Sequence, residues 1–397
     1  MATRSGGRRW AAWTGGTLAA LVALTGAAYA ATALIDVPPP HALVRLLATA
    51  PSAQGEVFPT RTVAAGPDAA ELERAPGDVL ATTVPWKGER ISTREMLDET
   101  KSRALVVLHE GRIVDEWYVD GVDDETRLSS WSVAKSVVSL LVGQASERGD
   151  LAEDDRMVDI LPELRTGGAY DDITVAHLLD MASGIDVSEN CNPWWPFTGT
   201  ARLLLSTDLP GCVAHHREVS FAPGSRSDYR SVDTQMLGII LERVDGRPLA
   251  QIAGEDLWAP MGAESDALCN LDSPDGPEKG FCGLNATARD FARIGQLVAD
   301  GGRAGDAQIV PEAWIERIST PTGLEMEGGW GYSAQWWRAP GAGEDFLALG
   351  VYGQYIWVDP ATDTVIVKLS DHGTEQDEIY AVEAMRAEPR KFTIRES

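Results

Sequence analysis

The segment Ser129-Ser130-Trp131-Ser132-Val133-Ala134-Lys135-Ser136-Val137-Val138-Ser139-Leu140-Leu141 is the part of this chain that decides its fold. Residues three apart on a helix project from the same face, so Ser132 and Lys135 lie close enough to share a proton. A serine hydroxyl becomes a strong nucleophile when a base takes its proton, and an amine is such a base only while it is neutral. Burial lowers the pKa of a lysine, and the apolar residues after Ser132 predict a helix enclosed by the fold.

Lys135 differs from the other lysines of the chain. It alone has a serine three positions earlier, and it alone lies inside a long apolar helical pattern. An unpaired buried charge is costly, so a lysine in such a place needs a reason. Chance also produces serine three residues before lysine, most often on a solvated surface. The apolar surroundings favour the functional interpretation, in which Lys135 activates Ser132.

Length and charge limit the classes of protein to which this chain can belong. The chain has 397 residues and 44% hydrophobic residues, enough for a large core. Its 34 basic and 60 acidic residues give a net charge of −26. Such an acidic protein repels nucleic acid and anionic membrane surfaces, so no nucleic-acid partner is predicted. The simplest interpretation of the charge is that it maintains solubility.

The N-terminus has the pattern of a targeting segment. Arg4, Arg8 and Arg9 precede residues 10–35, a run without a charged residue that is long enough to span a bilayer. A small-x-small sequence ending at Ala30 offers a cleavage site. The run is predicted to be either a cleaved export signal or an uncleaved membrane anchor, with the rest of the chain outside the cytoplasm. A buried core helix is the alternative.

Four cysteines lie beyond this run, and an even number fits an exported protein. Three pairings are possible, and the short separations favour two disulfides, Cys191–Cys212 and Cys269–Cys282. A metal site is the competing interpretation, but no spacing typical of zinc ligands supports it. No metal or organic cofactor is therefore predicted.

Strand-like segments at both ends of the main domain flank a helical middle. We expect residues 1–35 to be the targeting segment, residues 36–99 a tether and N-terminal extension, and residues 100–397 the main domain, with a helical lobe at about 136–320. The simplest assembly is an α+β fold with one antiparallel sheet built from both chain ends, flanked by helices, and a mostly helical second lobe. A site between the lobes would hold Ser132 at its floor. The predicted strands are residues 105–108, 113–118, 332–337, 346–349, 354–358 and 364–369.

At this point the chain resembles the serine beta-lactamase and penicillin-recognising superfamily, which carries Ser-x-x-Lys. The resemblance covers roughly residues 100–385 and is closer to the class C beta-lactamase-like branch, which includes esterases and 6-aminohexanoate-dimer hydrolase. Three further segments carry it: Ile173-Thr174-Val175-Ala176-His177-Leu178-Leu179-Asp180-Met181-Ala182-Ser183-Gly184; Phe221-Ala222-Pro223-Gly224 ahead of Tyr229-Arg230-Ser231; and Leu284-Asn285-Ala286-Thr287-Ala288-Arg289-Asp290.

The resemblance implies roles for two more positions. Tyr229 falls in the second motif, where a phenol passes a proton between the serine, the lysine and the leaving group. Gly350-Val351-Tyr352-Gly353-Gln354 is the best match to the third motif, and it implies an oxyanion hole formed by the Ser132 and Gln354 amides. Val351 replaces the basic residue of that motif, which argues against beta-lactams as substrates. Gly350 and Gly353 are alternatively ordinary strand-edge glycines.

The chain also departs from the family pattern in the walls of the substrate pocket. Nylon-dimer hydrolases carry an aromatic residue shortly after the Ser-Gly turn, where this chain has Asn190, and the nearby Asp186 and Glu189 are interpreted as solvated turn residues. Trp194 and Trp195 either replace the missing aromatic wall or simply pack the lobe. The candidate pocket residues are Ser231, Tyr352, Gly353, Trp194, Trp195 and Asn190.

The resulting hypothesis is an exported serine hydrolase that cleaves a small ester or amide through an acyl-enzyme on Ser132. Lys135 and Tyr229 act as base and proton relay. Two alternatives stay open. One is a peptidoglycan-directed D-amino-acid peptidase or esterase, and the other is a catalytically weak, penicillin-binding-like sensor module.

Overall fold

The structure is a computed structural model that describes residues 6–67, 69, 71–75, 83–190, 195, 197–341, 343–373 and 377–387. Its strands are β1 (Thr60–Val63), β2 (Thr83–Trp86), β3 (Glu89–Ser92), β4 (Ser102–His109), β5 (Arg112–Tyr118), β6 (Leu128–Ser129), β7 (Ala267–Asn270), β8 (Leu284–Ala286), β9 (Arg303–Ala304), β10 (Ala307–Gln308), β11 (Gly331–Ser333), β12 (Trp336–Arg338), β13 (Phe346–Gly350), β14 (Gln354–Asp359) and β15 (Thr364–Ser370). Its α-helices are α1 (Gly6–Leu34), α2 (Pro40–Ala48), α3 (Thr93–Glu99), α4 (Val133–Glu147), α5 (Met157–Ile160), α6 (Val175–Leu179), α7 (Gly199–Leu204), α8 (Leu209–His215), α9 (Ser231–Asp245), α10 (Leu249–Ile252), α11 (Ala288–Ala299), α12 (Glu312–Ser319) and α13 (Glu378–Met385).

The main sheet joins the two ends of the domain. Its seven strands run antiparallel in the order β11-β12-β13-β14-β15-β4-β5, so β15 pairs directly with β4. Every residue of β15 is buried, because α11 packs on one face of the sheet and α13 contributes to the apolar cluster on the other. The run of β-branched residues at the start of β15 suits this central position. The predicted sheet from both chain ends is confirmed.

One predicted strand is in fact a hairpin. Residues 332–337 were expected to run straight, but β11 and β12 are joined by a tight turn at Ala334 and Gln335. Both turn residues have left-handed backbone, with φ of 40° and 70°. Such values belong to hairpin turns that usually carry glycine or asparagine, so the sequence at this turn gives little warning of it.

The helical lobe is built around α4, which is buried from Val133 to Ala145 and packs against α9. Gly143 allows the close approach of α4 to Trp314, since a Cβ at this glycine would lie 2.3 Å from the indole ring. The segment 173–184 forms α6, capped by Thr174, which accepts a hydrogen bond from the His177 amide. The segment 284–290 forms β8 and the start of α11, which is capped by Thr287.

Gln335 connects the helical lobe to the sheet. Its carbonyl oxygen accepts a 2.7 Å hydrogen bond from Ser136 of α4, and its Oε1 accepts one of 2.7 Å from Thr234 of α9. Its Nε2 donates to the carbonyl oxygens of Leu178 and Leu179, at 2.9 and 2.8 Å. Gln335, on the β11–β12 turn, therefore connects three helices of the lobe through its backbone carbonyl and its side-chain amide.

The N-terminal extension packs on the domain. β1 pairs with β7, and the β2–β3 hairpin buries Val84 and Trp86 beside α13. Before it, α1 covers the uncharged run, but within the described ranges no helix combines the length and apolarity of a membrane span. The predicted membrane anchor is therefore not confirmed. The run is rich in alanine, glycine and threonine, which bury little apolar surface.

The predicted disulfides are not formed. Cys212, Cys269 and Cys282 are free thiols, and Cys191 lies outside the described residues. In the register of β7 with β8, Cys269 lies opposite Leu284 rather than Cys282. Both predictions were wrong because a short separation along the chain does not place two Cβ atoms at bonding distance.

Candidate active site

Ser132 stands at the N-terminus of α4 behind a strained residue. Trp131 has left-handed backbone with φ of 49°, a rare conformation for a bulky side chain. Its indole nitrogen donates to the Pro51 carbonyl oxygen at 3.1 Å, and its ring packs edge-to-face on Tyr352 with 4.9 Å between centroids. These contacts hold the conformation, and strain of this kind is common at functional sites. Ser132 itself is only partly buried, so its hydroxyl is open to the cleft.

Lys135 is buried against Ser132. It is 1% exposed, and its Nζ donates to the Ser132 Oγ at 2.7 Å and to the Phe281 carbonyl oxygen at 2.8 Å. Burial lowers the pKa of Lys135 to about 8, although the Glu189 carboxylate and the Cys282 thiol act to raise it. A substantial fraction of the amine is therefore neutral in mildly alkaline solution, which is the state that a base requires.

Tyr229 completes the group. Its ring centroid lies 5.1 Å from the Lys135 Nζ, and the Ser132 hydroxyl is near enough to act on the pKa of the phenol, lowering it. Burial raises the pKa of Tyr229 well above its usual value, so the phenol stays protonated and can donate. The structure thus brings Ser132, Lys135 and Tyr229 together, as the motifs implied.

The loop that carries Tyr229 is held by the Ser-Gly turn at the end of the segment 173–184. The Arg230 guanidinium donates to the Ile185 carbonyl oxygen at 2.6 Å and to the Ser220 Oγ at 3.0 Å. Ser183 donates to Asp233 of α9 at 2.5 Å. At Gly184, where φ is +74°, a Cβ would lie 2.5 Å from the backbone of the Phe221 loop. These contacts explain why the two segments occur together.

Gly350 brings the edge of the sheet to Ser132. A Cβ at Gly350 would lie 2.6 Å from the Ser130 carbonyl oxygen and 3.1 Å from the Ser132 amide nitrogen. The interpretation of Gly350 as an ordinary strand-edge glycine is therefore wrong. The loop of residues 351–353 follows, and Gly353 has φ of +84°.

Gln354 is the register partner of Gly350 and is fully buried. Its Nε2 donates to the carbonyl oxygens of Ser370 and Val351, at 2.7 and 3.2 Å, and its Oε1 accepts from the Ser370 amide. The side chain thus braces the third-motif turn from behind. The backbone of Gly350 lies beside the Ser132 amide, and Gln354 contacts this turn from the other strand.

The aromatic wall beside Tyr229 comes from residues that the sequence interpretation missed. Trp337 lies 5.3 Å from the Tyr229 ring and 4.8 Å from Tyr332, and Trp330 stacks edge-on against Trp337 at 5.9 Å. The sequence does show four aromatic residues within positions 330–337, but the hairpin that turns them toward Tyr229 was not recognised. Together they form an apolar wall next to the reacting group.

The residues predicted for that wall lie elsewhere. Trp195 is 54% exposed, contacts Phe197, and shares a surface depression with Leu34 and His215. Trp194 lies outside the described residues, and the side chain of Asn190 is exposed. Trp195 therefore packs near the end of α1, and the proposed aromatic replacement by this residue was wrong.

The sequence interpretation also missed the place of Glu189 in the site. It was expected to be a solvated turn residue, yet it is half-buried and its carboxylate accepts a hydrogen bond from the Ser231 amide. It is the first charged group among those that raise the pKa values of both Lys135 and Tyr229. Ser231 is buried, with 2% exposed, and it is the Ser231 backbone amide at the start of α9 that contacts the Glu189 carboxylate.

Comparison with known proteins decides the family. The family model described as Beta-lactamase matches residues 94–388. The chain belongs to the beta-lactamase family. The resemblance that the motifs carried is confirmed, as are the beta-lactamase-like α+β fold and the enzyme class, a serine hydrolase of the amidase or esterase type.

Relatives within the beta-lactamase family include amide and ester hydrolases. The chain is 30% identical over 343 residues to the 6-aminohexanoate-dimer hydrolase of Paenarthrobacter ureafaciens, covering 80% of this chain and 83% of that protein. It is 30% identical over 155 residues to esterase EstB of Burkholderia gladioli, covering 35% and 38%. A solved Bacillus anthracis structure assigned as a 6-aminohexanoate-dimer hydrolase has a TM-score of 0.73 at 24% identity, covering 85% and 92%.

The described residues also bear on a possible metal site. Among the described residues, no group of three or more His, Cys, Asp or Glu side chains could hold a metal ion. The arrangement can deprotonate Ser132 and stabilise charge on a carbonyl oxygen beside the Ser132 amide.

Proposed function

We propose that this protein is an exported hydrolase of small esters or amides that reacts through an acyl-enzyme on Ser132. The observation that carries the proposal is the 2.7 Å contact between the Lys135 Nζ and the Ser132 Oγ, made by a lysine that is 1% exposed. The amide and ester hydrolases among the relatives support the substrate class.

The geometry supports a defined order of steps. Neutral Lys135 takes the Ser132 proton, directly or through Tyr229, and the serine oxygen attacks the carbonyl carbon. The Phe281 carbonyl oxygen then stabilises the protonated amine. Negative charge on the carbonyl oxygen is held by the Ser132 amide and by an amide of the third-motif turn, with Gln354 as the predicted donor.

Collapse of this intermediate breaks the bond to the leaving group. Tyr229 donates a proton to the departing oxygen or nitrogen and is reprotonated from Lys135. Water then attacks the acyl-enzyme with the same residues acting in reverse, and the acid is released. Ser132 and Lys135 return to their starting states, so one water is consumed for each bond cleaved.

Labelling with a fluorophosphonate probe tests the nucleophile. Wild type and Ser146→Ala, a control on the same helix, are expected to label at equal rates, while Ser132→Ala is not labelled. Equal labelling of wild type and Ser132→Ala at low probe concentration would show that the serine assignment is wrong.

The third motif bears on the substrate. Residues 350–354 contain no cation, and in enzymes that recognise beta-lactams a cation of this motif holds the substrate carboxylate. A panel of p-nitrophenyl esters, aminohexanoate dimer, a chromogenic cephalosporin and D-Ala-D-Ala peptides separates the candidates. Turnover of the peptides would favour the peptidoglycan-directed alternative, and stoichiometric acylation without turnover would favour the sensor module.

Export is part of the proposal. Arg8 and Arg9 ahead of an uncharged run, with a small-x-small sequence at Ala30, support it. Mass spectrometry of the protein recovered from the producing cells is expected to show a new N-terminus at position 31. An intact N-terminus in a cytoplasmic fraction would contradict export.

A further inference from the structure

We propose that Glu189 makes this cleft selective for substrates that carry a positive charge near the scissile bond, and that it disfavours substrates that carry a carboxylate there. The inference rests on the function proposed for Ser132 and names the substrate class of the same site. The geometry that carries it is the contact between the Glu189 carboxylate and the Ser231 amide, two residues after Tyr229.

This contact holds the carboxylate at the start of α9. Ser231 is the first residue of α9, and a negative charge at a helix N-terminus is stabilised by the helix dipole. Within the described part of the chain, Glu189 has no ion-pair partner. Arg230, the residue before Ser231, directs its guanidinium to Ile185, Ser220 and Asp228 instead. The charge of Glu189 therefore remains available to a ligand.

The field of Glu189 reaches the reacting groups. The same carboxylate acts on the pKa of Lys135 and of Tyr229, in each case as the first charged group after the effect of burial. The third motif, residues 350–354, supplies no cation to offset this charge. A carboxylate without an opposing cation favours positively charged ligands and disfavours negatively charged ones.

The aromatic wall complements this charge. Trp337 and Trp330 lie beside Tyr229 and are only partly buried. The face of an indole ring attracts ammonium groups, so a cation held near Glu189 also gains from the wall. Primary or quaternary ammonium groups a few bonds from the carbonyl carbon fit this combination.

Three p-nitrophenyl esters of matched shape test the inference. Their acyl chains end in a trimethylammonium group, in its neutral tert-butyl equivalent, or in a carboxylate. For wild type we expect kcat/KM to fall in that order. In Glu189→Gln, the ratio of the cationic to the neutral ester is expected to fall about two- to fivefold, the effect of one partly exposed ion pair. The carboxylate ester is expected to improve.

Asp186→Asn is the matched control, because Asp186 is an exposed acid in the same loop. It removes the same charge and should leave the ratio unchanged. An unchanged ratio in Glu189→Gln, or an equal fall in Asp186→Asn, overturns the inference. The salt dependence of wild type gives a second test. In 1 M NaCl the ratio of kcat/KM for the cationic ester to that for the neutral ester should fall, since screening weakens such pairs. A ratio that does not change with salt also overturns the inference.

The two proposals fail in distinguishable ways. If Ser132→Ala hydrolyses the neutral ester as fast as wild type, the proposed function is wrong. If Ser132→Ala is inactive while Glu189→Gln keeps the wild-type ratio, the function stands and only the charge selection is wrong.

Discussion

Lys135 is held by hydrogen bonds at two acceptors of different kinds, the Oγ of Ser132 at 2.7 Å and the carbonyl oxygen of Phe281 at 2.8 Å. The first acceptor can lose a proton and the second cannot. Because the backbone oxygen stays an acceptor throughout, the amine keeps its position whether it is neutral or charged. The pair is therefore preorganised for proton transfer.

Removing the base should abolish acylation while leaving the fold intact. Lys135→Met keeps the length of the side chain in a buried position, and we expect the acylation rate to fall about 10²–10⁴-fold, the usual contribution of a general base. Lys135→Arg should not restore it, because a guanidinium does not become neutral in a protein. Stopped-flow measurement of p-nitrophenol release checks this. Lys87→Met, at a half-exposed ion pair, is the control, and near-wild-type rates in Lys135→Met would contradict the mechanism.

The pH dependence follows from the lowered pKa of Lys135, about 8. The base acts only when neutral, so kcat/KM should rise as the pH increases through about 8 and then level off. Glu189 raises that pKa, so Glu189→Gln should move the rising limb to lower pH. Profiles between pH 6 and 10 with a neutral ester measure this. A limb that moves to higher pH in Glu189→Gln would be the opposite of the expected sign.

Tyr229→Phe tests the proton relay through the choice of leaving group. The phenol donates to a basic leaving group, so we expect amide hydrolysis to fall about 10²–10³-fold. A p-nitrophenyl ester should lose much less, because its leaving group departs without protonation. Equal losses on both substrates would show that Tyr229 acts only in the deprotonation of Ser132, or in packing against Trp337.

Gly350→Ala tests the close approach of the sheet edge to Ser132. The added methyl group would lie 2.6 Å from the Ser130 carbonyl oxygen, so we expect a loss of about 1–3 kcal/mol in the free energy of unfolding and slower acylation. Urea unfolding and probe labelling measure both effects. Gly168→Ala is the control, since its nearest neighbour would be at 3.6 Å. A Gly350→Ala variant as stable and reactive as wild type would show that this edge has room.

Lys368 gives a prediction about stability. It is 1% exposed in β15, its Nζ donates to the Ser370 Oγ at 2.6 Å, and burial lowers its pKa to about 7. Between about pH 7 and the ordinary value of 10.5, the unfolded chain binds a proton that the folded chain does not. Stability should therefore rise with pH across this window.

Lys368→Met should remove that contribution and unfold at a higher temperature than wild type at pH 7, with a smaller difference at pH 10. Thermal unfolding followed by circular dichroism measures it. A variant that is less stable than wild type at both pH values would show that the hydrogen bond to Ser370 outweighs the cost of burial.

The sequence predicts best where the contact is local. Ser132 and Lys135 are one helical turn apart, so their meeting follows from helix geometry. The strands β4 and β15 were recognisable because runs of β-branched residues are typical of buried strands. The caps at Thr174 and Thr287 are likewise set by residues within one turn.

What escaped the sequence depends on contacts between distant segments. Glu189 reaches the site only because Ser231 offers an amide from another loop, and Trp337 reaches Tyr229 only because two left-handed residues reverse the chain. The predicted Cys269–Cys282 pair failed for a related reason, since the β7–β8 register places Leu284 and not Cys282 opposite Cys269. None of these contacts has a local signature.

Gln335 also limits how the cleft can move. Swinging the lobes apart would strip this buried amide of its acceptors and leave Leu178, Leu179 and Thr234 with unsatisfied polar groups, which is costly in a dry interior. Opening of the cleft by movement of the β11–β12 turn away from α6 and α9 is therefore costly. We expect the width of the cleft to stay nearly constant when a substrate binds.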